Sequence, residues 1–395
     1  MSIRLSVVMP CLNESETLPV CIRKAQKALQ ALDVESEIIV ADNGSTDDSV
    51  AIAESFGARV VHQAKKGYGY AYHAGIEAAA GEWIVIGDSD DSYDFSEIGR
   101  FIEPLRQGYD LVMGTRLKGR IEKGAMPWLH RYIGNPLLTG LLNAMYHSGI
   151  SDAHCGMRSF TKTAYQKMNL RTGGMEFASE MVIRASLEGL KMCEIPIVLH
   201  KDGRNRPPHL RSFRDGWRHL RFMLMYSPTY LYFWPGLILF VLGMSALFAL
   251  LPGPIRVFNR LVDVHVMVLG SLFAVLGYQI ISLGVYAKIF SVTHHFVPQG
   301  QQLTRAFRLF NLERGLIVGF IIFLLGLVID GYIFLSWIIN GFGPLNQVRL
   351  AILGSTLIII GAQTIFSSFF LSMLGIEVRP PSAQEPANAG HASPQ

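Results

Sequence analysis

Two carboxylates one residue apart, Asp88-Ser89-Asp90, follow the apolar run Trp83–Gly87 without a break. On an extended turn they can share a hard divalent cation. Mg²⁺ prefers few protein carboxylates and completes its shell with substrate phosphate oxygens. A cation so held neutralises a departing diphosphate. The competing reading is a helix-capping acidic turn, because Asp91 and Asp94 stand close by. A second polar cluster is Asp42-Asn43-Gly44-Ser45-Thr46-Asp47. A carboxylate at a strand end accepts the N–H of a nucleobase, and Gly44 permits a tight turn. The same residues also make a plain Asx turn before a helix. The third cluster is Pro10–Glu14, where Pro10 ends a strand and Asn13 and Glu14 offer polar atoms to a ribose or base.

These clusters need a scaffold, and strand-like and helix-like runs alternate through the first half. Leu5–Met9, Glu37–Ala41, Ala58–His62, Trp83–Ile86 and Leu111–Gly114 read as strands. Leu18–Leu32, Asp48–Phe56, Ala71–Ala80 and Asp94–Gln107 read as helices. Such βαβ alternation implies a mostly parallel, doubly wound α/β sheet. Ligands bind these sheets at the carboxyl ends of the strands, where all three clusters fall.

The second half is of another kind. The chain has 395 residues, 17% of them charged, against about 25% for a soluble protein. Residues 230–395 hold 8 of the 35 Lys+Arg and 5 of the 31 Asp+Glu, leaving 27 and 26 for residues 1–229. Four apolar stretches, about 230–251, 264–287, 316–340 and 350–374, are each long enough to cross a bilayer. Within them stands one acid, Asp330, placed either for passage of a lipid headgroup or to hydrogen-bond a neighbouring helix. The connections richer in Lys and Arg, including Lys201–Arg221 and the 2–3 loop with Lys288, Arg305, Arg308 and Arg314, belong inside. Met1–Pro10 reads as a strand and not as a signal peptide, so the N-terminal domain is expected to be cytoplasmic. Leu210–Tyr226 interleaves arginines with Phe213, Trp217, Leu220 and Phe222, which suits a helix in the headgroup plane or a connector helix of the soluble domain. The expected organisation is a domain at 1–205, an amphipathic segment at 206–228, four spans within 229–376 and a disordered tail at 377–395. A net charge of +4 is too small to imply nucleic acid, and Cys11, Cys21, Cys155 and Cys193 show no CxxC spacing, so reduced thiols are expected.

Taken in order, VVMPCLNE, IIVADNGSTDDS, AKKGYGYAYHAGIEAAAGEWIVIGDSDDSYD and MGTR closely resemble the family 2 glycosyltransferases of GT-A fold. Within them the likeness is to the dolichol-phosphate mannose synthase and polyprenyl-phosphate glucosyltransferase group, over about residues 3–210. The resemblance implies a nucleotide-sugar donor, Mg²⁺ or Mn²⁺, and inversion at the anomeric carbon. Carried over, Pro10, Asn13, Glu14, Asp42, Asp88 and Ser89 become nucleotide contacts, and Asp88 and Asp90 the diphosphate–metal motif. Many members carry Gln two residues after the second Asp; here Ser92 stands there. Asp152, in a segment ending Gly156-Met157-Arg158, becomes the acid on the acceptor side, or the ion-pair partner of Arg158. Arg116, Arg131 and Arg204 match arginines used near an acceptor phosphate, and Glu180 lies where family acids approach the sugar.

The resemblance thus implies an integral enzyme of a bacterial or archaeal plasma membrane, moving one hexose from UDP-glucose or GDP-mannose to a polyprenyl phosphate. A homo-oligomer is left open. One rival is a processive polysaccharide synthase, which usually shows Gln-x-x-Arg-Trp; the comparable region here reads Arg214-Asp215-Gly216-Trp217-Arg218. The other is a non-catalytic membrane scaffold, against which the intact DxD argues.

Overall fold

The computed structural model describes residues 4–204, 212–293 and 312–374. Arg305, Arg308, Leu210, Arg211 and the tail from residue 377 lie outside the described residues. The chain divides into two compact units, the first ending at Tyr226 and the second beginning at Ser227.

The first unit is built on a seven-stranded sheet of order β3-β2-β1-β4-β6-β5-β7. The strands are β1 (Leu5–Cys11), β2 (Ser36–Asp42), β3 (Arg59–His62), β4 (Trp83–Ile86), β5 (Leu111–Ile121), β6 (Arg158–Thr161) and β7 (Met192–Leu199). The first four pair in parallel, β6 runs antiparallel between β4 and β5, and β7 is parallel to β5. Leu5, Val7, Val8 and Met9 are all buried because β1 is central and covered on both faces. One face is covered by helices α1 (Leu18–Leu32) and α4 (Ile98–Arg106), through residues such as Ile22, Phe101 and Ile102. The opposite face is covered by α3 (Tyr68–Ala78), α5 (Asn135–Tyr146), α6 (Lys162–Met168) and α7 (Phe177–Leu187). Helix α2 (Ser49–Ser55) links β2 to β3. This arrangement puts the carboxyl ends of β1, β2 and β4, and the loops that follow them, along one edge.

Helix α8 (Ser212–Met225) packs on this unit. Phe222 and Met223 enter the core beside Phe177 and Met181, and His219 Nδ1 lies 2.7 Å from Ser179 Oγ. Its outer face presents exposed Trp217 and Met225. The helix therefore has the inner contacts of a connector helix, while its outer surface keeps an apolar, aromatic character.

The second unit holds α9 (Trp234–Leu250), α10 (Val264–Thr293), α11 (Leu312–Ile339) and α12 (Val348–Leu374), with a short hairpin of β8 (Ile255–Val257) and β9 (Arg260–Val262). The four membrane-length helices are Thr229–Leu250, Val264–Thr293, Leu312–Ile339 and Val348–Leu374. They form two helical hairpins that repeat one another. GLILFVLG at 236–243 matches GFIIFLLG at 319–326, and LGSLFAVLGYQII at 269–281 matches LGSTLIIIGAQTI at 353–365. The packing repeats as well. A Cβ on Gly277 would stand 2.4 Å from Phe240 N, and one on Gly361 would stand 2.4 Å from Phe323 N. Backbones approach that closely in a bilayer only where a side chain is missing. The hairpins join through side-chain hydroxyls instead: Ser271 to Thr356, Tyr278 to Thr364 and Tyr286 to Ser367, each 2.6 Å apart. Asp330 breaks the repeat. It stands where the first hairpin has fully buried Leu247; its Oδ2 accepts from Ser355 Oγ at 3.4 Å and its Oδ1 is buried without a partner.

Candidate active site

The loops after β1 and β2 are stitched together. Asp42 ends β2, and its Oδ1 accepts the Ser45 amide at 2.9 Å and its Oδ2 the Gly44 amide at 3.2 Å, with His62 Nδ1 3.2 Å away. Burial by itself raises this carboxyl, but the bonds from Ser45, His62 and Gly44 outweigh it and hold the group below the usual range. So the Asx turn is present, and it pre-sets the carboxylate. Asn13, at φ 59°, accepts the Thr46 amide at 2.7 Å and donates its own amide to Ser45 Oγ at 2.9 Å. The Glu14 amide donates to Ser49 Oγ at 2.8 Å. Lys66 donates to the carbonyls of Asn43 and Gly44 at 2.7 and 3.1 Å. These bonds join the loops after β1 and β2 into one polar cluster, with Asp42 buried in it.

The acid pair follows β4. Ser89 donates to the Pro10 carbonyl at 2.5 Å, and its own carbonyl accepts from Thr17 Oγ1 at 2.7 Å. Ser89 and Pro10 thus tie the β1 and β4 ends together. Asp88 Oδ1 accepts two phenols, Tyr68 at 2.9 Å and Tyr72 at 3.1 Å. On the other side Gly156 lets Oδ2 approach, for a Cβ there would stand 2.6 Å from it. Burial and then the charge of Asp90 push the Asp88 carboxyl up to about 6. Asp90 Oδ1 accepts the Ser92 amide at 3.1 Å and hydroxyl at 2.6 Å, while Oδ2 accepts Arg204 at 3.0 Å. Arg204 also reaches Glu14 Oε1 at 3.0 Å and both oxygens of Asp202. Among the described residues no three His, Cys, Asp or Glu side chains gather to hold a metal. Two hard carboxylates do stand together. They fit an ion such as Mg²⁺ or Mn²⁺ that takes its remaining ligands from phosphate and water.

Further along, Asp152 pairs with Arg116. Arg116 Nε and Nη2 reach its two oxygens at 2.7 and 2.8 Å, and the Arg116 amide adds a third bond at 3.0 Å. Burial would raise Asp152, but the Arg116 charge and bonds outweigh it and keep the carboxyl low. The ion pair of Asp152 is therefore with Arg116 and not with Arg158. Arg158 instead donates to the carbonyls of Cys155, Ala178 and Ala153 at 2.8, 2.7 and 3.0 Å. Arg131 lies over the ring of Tyr132, 5.2 Å from its centroid, in a strip where Trp128, Tyr132, Ile133 and Leu137 are exposed. Glu180 is fully buried and holds the loop at Arg171 and Thr172 through their amides. All four cysteines are free. Tyr68, Tyr72 and Lys66 are contributors that the motifs did not single out individually. The only signal for Lys66 and Tyr68 was their position in Lys65-Lys66-Gly67-Tyr68-Gly69, next to a glycine pair, and Tyr72 follows Tyr68 by one helical turn.

A mostly parallel sheet with this order and acids at its strand edge defines a GT-A-type α/β transferase domain, here followed by four membrane-length helices. Sequence comparisons agree. Residues 6–168 match the family described as glycosyl transferase family 2, and residues 285–375 match the glycosyltransferase family 2 C-terminal transmembrane region. The low-salt glycan biosynthesis hexosyltransferase Agl6 of Haloferax volcanii is 39% identical over 374 residues, 94% of this chain and 89% of that protein. A dolichyl-phosphate hexose transferase of the same organism is 31% identical over 195 residues, 49% of this chain and 81% of that protein. Glucosyl-3-phosphoglycerate synthase of Mycobacterium tuberculosis, solved with Mn²⁺ and UDP-glucose, is similar over 56% of this chain and 78% of that one, with 24% identity and a TM-score of 0.46. The chain belongs to the family 2 glycosyltransferases, as an integral membrane enzyme with the family's C-terminal transmembrane region.

Proposed function

We propose that this enzyme transfers a single hexose from a nucleotide sugar, UDP-glucose or GDP-mannose, to a polyprenyl phosphate at the cytoplasmic face of a bacterial or archaeal plasma membrane. One observation carries the reading: Glu14, Asp42, Asp88 and Asp90 line a single strand edge in a chain homologous along nearly its whole length to a hexosyltransferase. The relative named a dolichyl-phosphate hexose transferase supports the lipid acceptor. The exposed Trp128, Tyr132 and Leu137 support it too, because aromatic and aliphatic side chains of this kind favour a bilayer interface.

In this reading Asp42, pre-set by its own loop, accepts the nucleobase N–H. Asn13 and Glu14 flank the ribose, and the Ser89–Pro10 bond fixes the strand ends that carry them. Asp88 and Asp90 would hold Mg²⁺ or Mn²⁺, which when bound offsets charge on the departing nucleoside diphosphate. Arginines suit the acceptor because their fork binds two phosphate oxygens at once. Arg204, half-encircled by acids, and Arg131, in the apolar strip, bring that charge to a lipid phosphate. Asp152 acts through Arg116, holding that guanidinium in place. A phosphate monoester is already largely anionic near neutral pH, so little proton removal is required of any side chain. Attack by its oxygen on C1, opposite the leaving diphosphate, inverts the sugar.

Membranes carrying the chain, incubated with radiolabelled UDP-glucose or GDP-mannose and undecaprenyl or dolichyl phosphate, should move label into the organic phase as a one-sugar lipid. Label in long glycan would refute single transfer. No label from either donor, with the chain present and folded, would refute the hexose reading.

A further inference from the structure

Arg204 is committed to the acid cluster by every nitrogen it has. Nε and Nη2 bond Asp202, Nη1 bonds Glu14 at 3.0 Å, and Nη2 also bonds Asp90 at 3.0 Å. Its side chain is only 11% exposed. Two of these partners differ from the third in kind. Asp202 lies two residues away on the same segment and travels with Arg204, whereas Glu14 and Asp90 belong to the loops after β1 and β4. The segment itself is laid along the acid pair by backbone bonds, His200 to the Ser92 carbonyl at 3.0 Å and Gly203 to the Asp90 carbonyl at 3.1 Å. Asp90 has one oxygen taken by Ser92, so Oδ2 is the atom it can offer a cation, and Arg204 is already on it. Three carboxylates, Glu14, Asp90 and Asp202, bond this single guanidinium, and Asp88 lies within range of its charge. The surplus negative charge favours a second cation, and the second cation repels the first.

We propose that Arg204 and the divalent cation of the donor complex compete for Asp90, so that loading the donor releases the guanidinium toward the acceptor phosphate. The inference rests on the functional reading above and deepens it: occupation of Asp90 by the cation and the freeing of the Arg204 fork are one exchange. Arg204 cannot keep Glu14 and Asp90 and also present a two-pronged fork to phosphate. Giving up those two bonds while keeping Asp202 leaves it pre-oriented, with N–H donors free on both Nη1 and Nη2. Arg204 thereby couples the two halves of the site.

The test uses the full chain in detergent, with Mn²⁺ alone titrated by electron paramagnetic resonance and farnesyl phosphate titrated by calorimetry. Arg204→Gln should bind Mn²⁺ at least threefold more tightly than wild type, although it loses a residue of the site. Arg204→Lys, which keeps a charge but lacks the bridging fork, should fall between and covers the case in which Gln fails to fold. Wild type should bind farnesyl phosphate at least fivefold more tightly once Mn²⁺ and UDP or GDP are present, and Arg204→Gln should show no such gain. Mn²⁺ affinity at or below wild type in both variants, or farnesyl phosphate binding indifferent to Mn²⁺ and nucleotide, overturns the exchange. Asp90→Asn separates the two layers: if it leaves Mn²⁺ binding unchanged, the metal assignment itself falls. If the Arg204 variants tighten Mn²⁺ while farnesyl phosphate binds in no state, the acceptor assignment alone falls.

Discussion

Replacing Tyr68 and Tyr72 with phenylalanine removes two oxygens and little else. The Tyr72 ring stacks on Phe177 at 5.4 Å and meets Tyr68 edge-on at 4.9 Å, and phenylalanine keeps both contacts. What is lost is the pair of donors to Asp88 Oδ1. A hydrogen bond to a charged group contributes about 1.5–3 kcal/mol. Two donors share one oxygen and are not additive, so the lower end applies. About 1.4 kcal/mol is one pK unit. Each single variant should therefore raise the Asp88 carboxyl by about one unit above its present value near 6, and the double variant by somewhat less than two. A protonated carboxyl is a poor ligand, so Mn²⁺ binding at pH 6.5 should weaken about tenfold in the double variant. The gap should close above about pH 8.5, where both proteins are ionised. Titrating Mn²⁺ by electron paramagnetic resonance from pH 5.5 to 8.5 gives the curve directly. An acid limb at the wild-type position in the double variant would refute the reasoning, because the phenols would then not be stabilising the anion.

Asp152→Asn should leave Arg116 buried beside a neutral partner and cost about 3–5 kcal/mol of stability. Asp152→Leu with Arg116→Met should recover most of that loss in thermal melts, and a double variant no more stable than the single would contradict a buried-pair role. Asp42 and Asp152 are both held below 3.8 in the fold, so each contributes stability that is present above about pH 4 and lost as pH falls through the folded value. Melting curves between pH 2.5 and 5 should show this decline, flattened in Asp152→Asn; parallel curves would dismiss the linkage. In the membrane unit, Asp330→Leu installs the residue found at the equivalent place in the first hairpin. It removes a buried oxygen that has no partner, so the thermal midpoint should hold or rise. A clear fall would mean that Asp330 has a structural partner in the bilayer.

The apolar runs were the most legible part of the chain. Leu18–Leu32 and Trp83–Ile86 fall where the hydrophobic pattern places them, because each buries a continuous face. β6 was invisible: Arg158-Ser159-Phe160-Thr161 carries one large apolar residue, and its place is set by pairing with β4 and β5 on either side. β7 carries Pro196 within its run, and β5 continues to Ile121 past Gly114, with a register shift between Thr115 and Arg120 where it meets β7. The membrane repeat could be read off the letters only once the glycines were seen in contact, since four apolar helices share most of their alphabet.

The acids and their spacing, the two-part division in hydropathy and the family resemblance were properties of the sequence itself, because they depend on residues adjacent in the chain. Which charge meets which was not. Arg204 reaches Glu14 and Asp90 across 190 and 114 residues, and Asp152 chooses Arg116 over Arg158, six residues away, because strand order sets the approach of side chains. Ion-pair choice is a matter of distance and burial, and only the folded sheet fixes both.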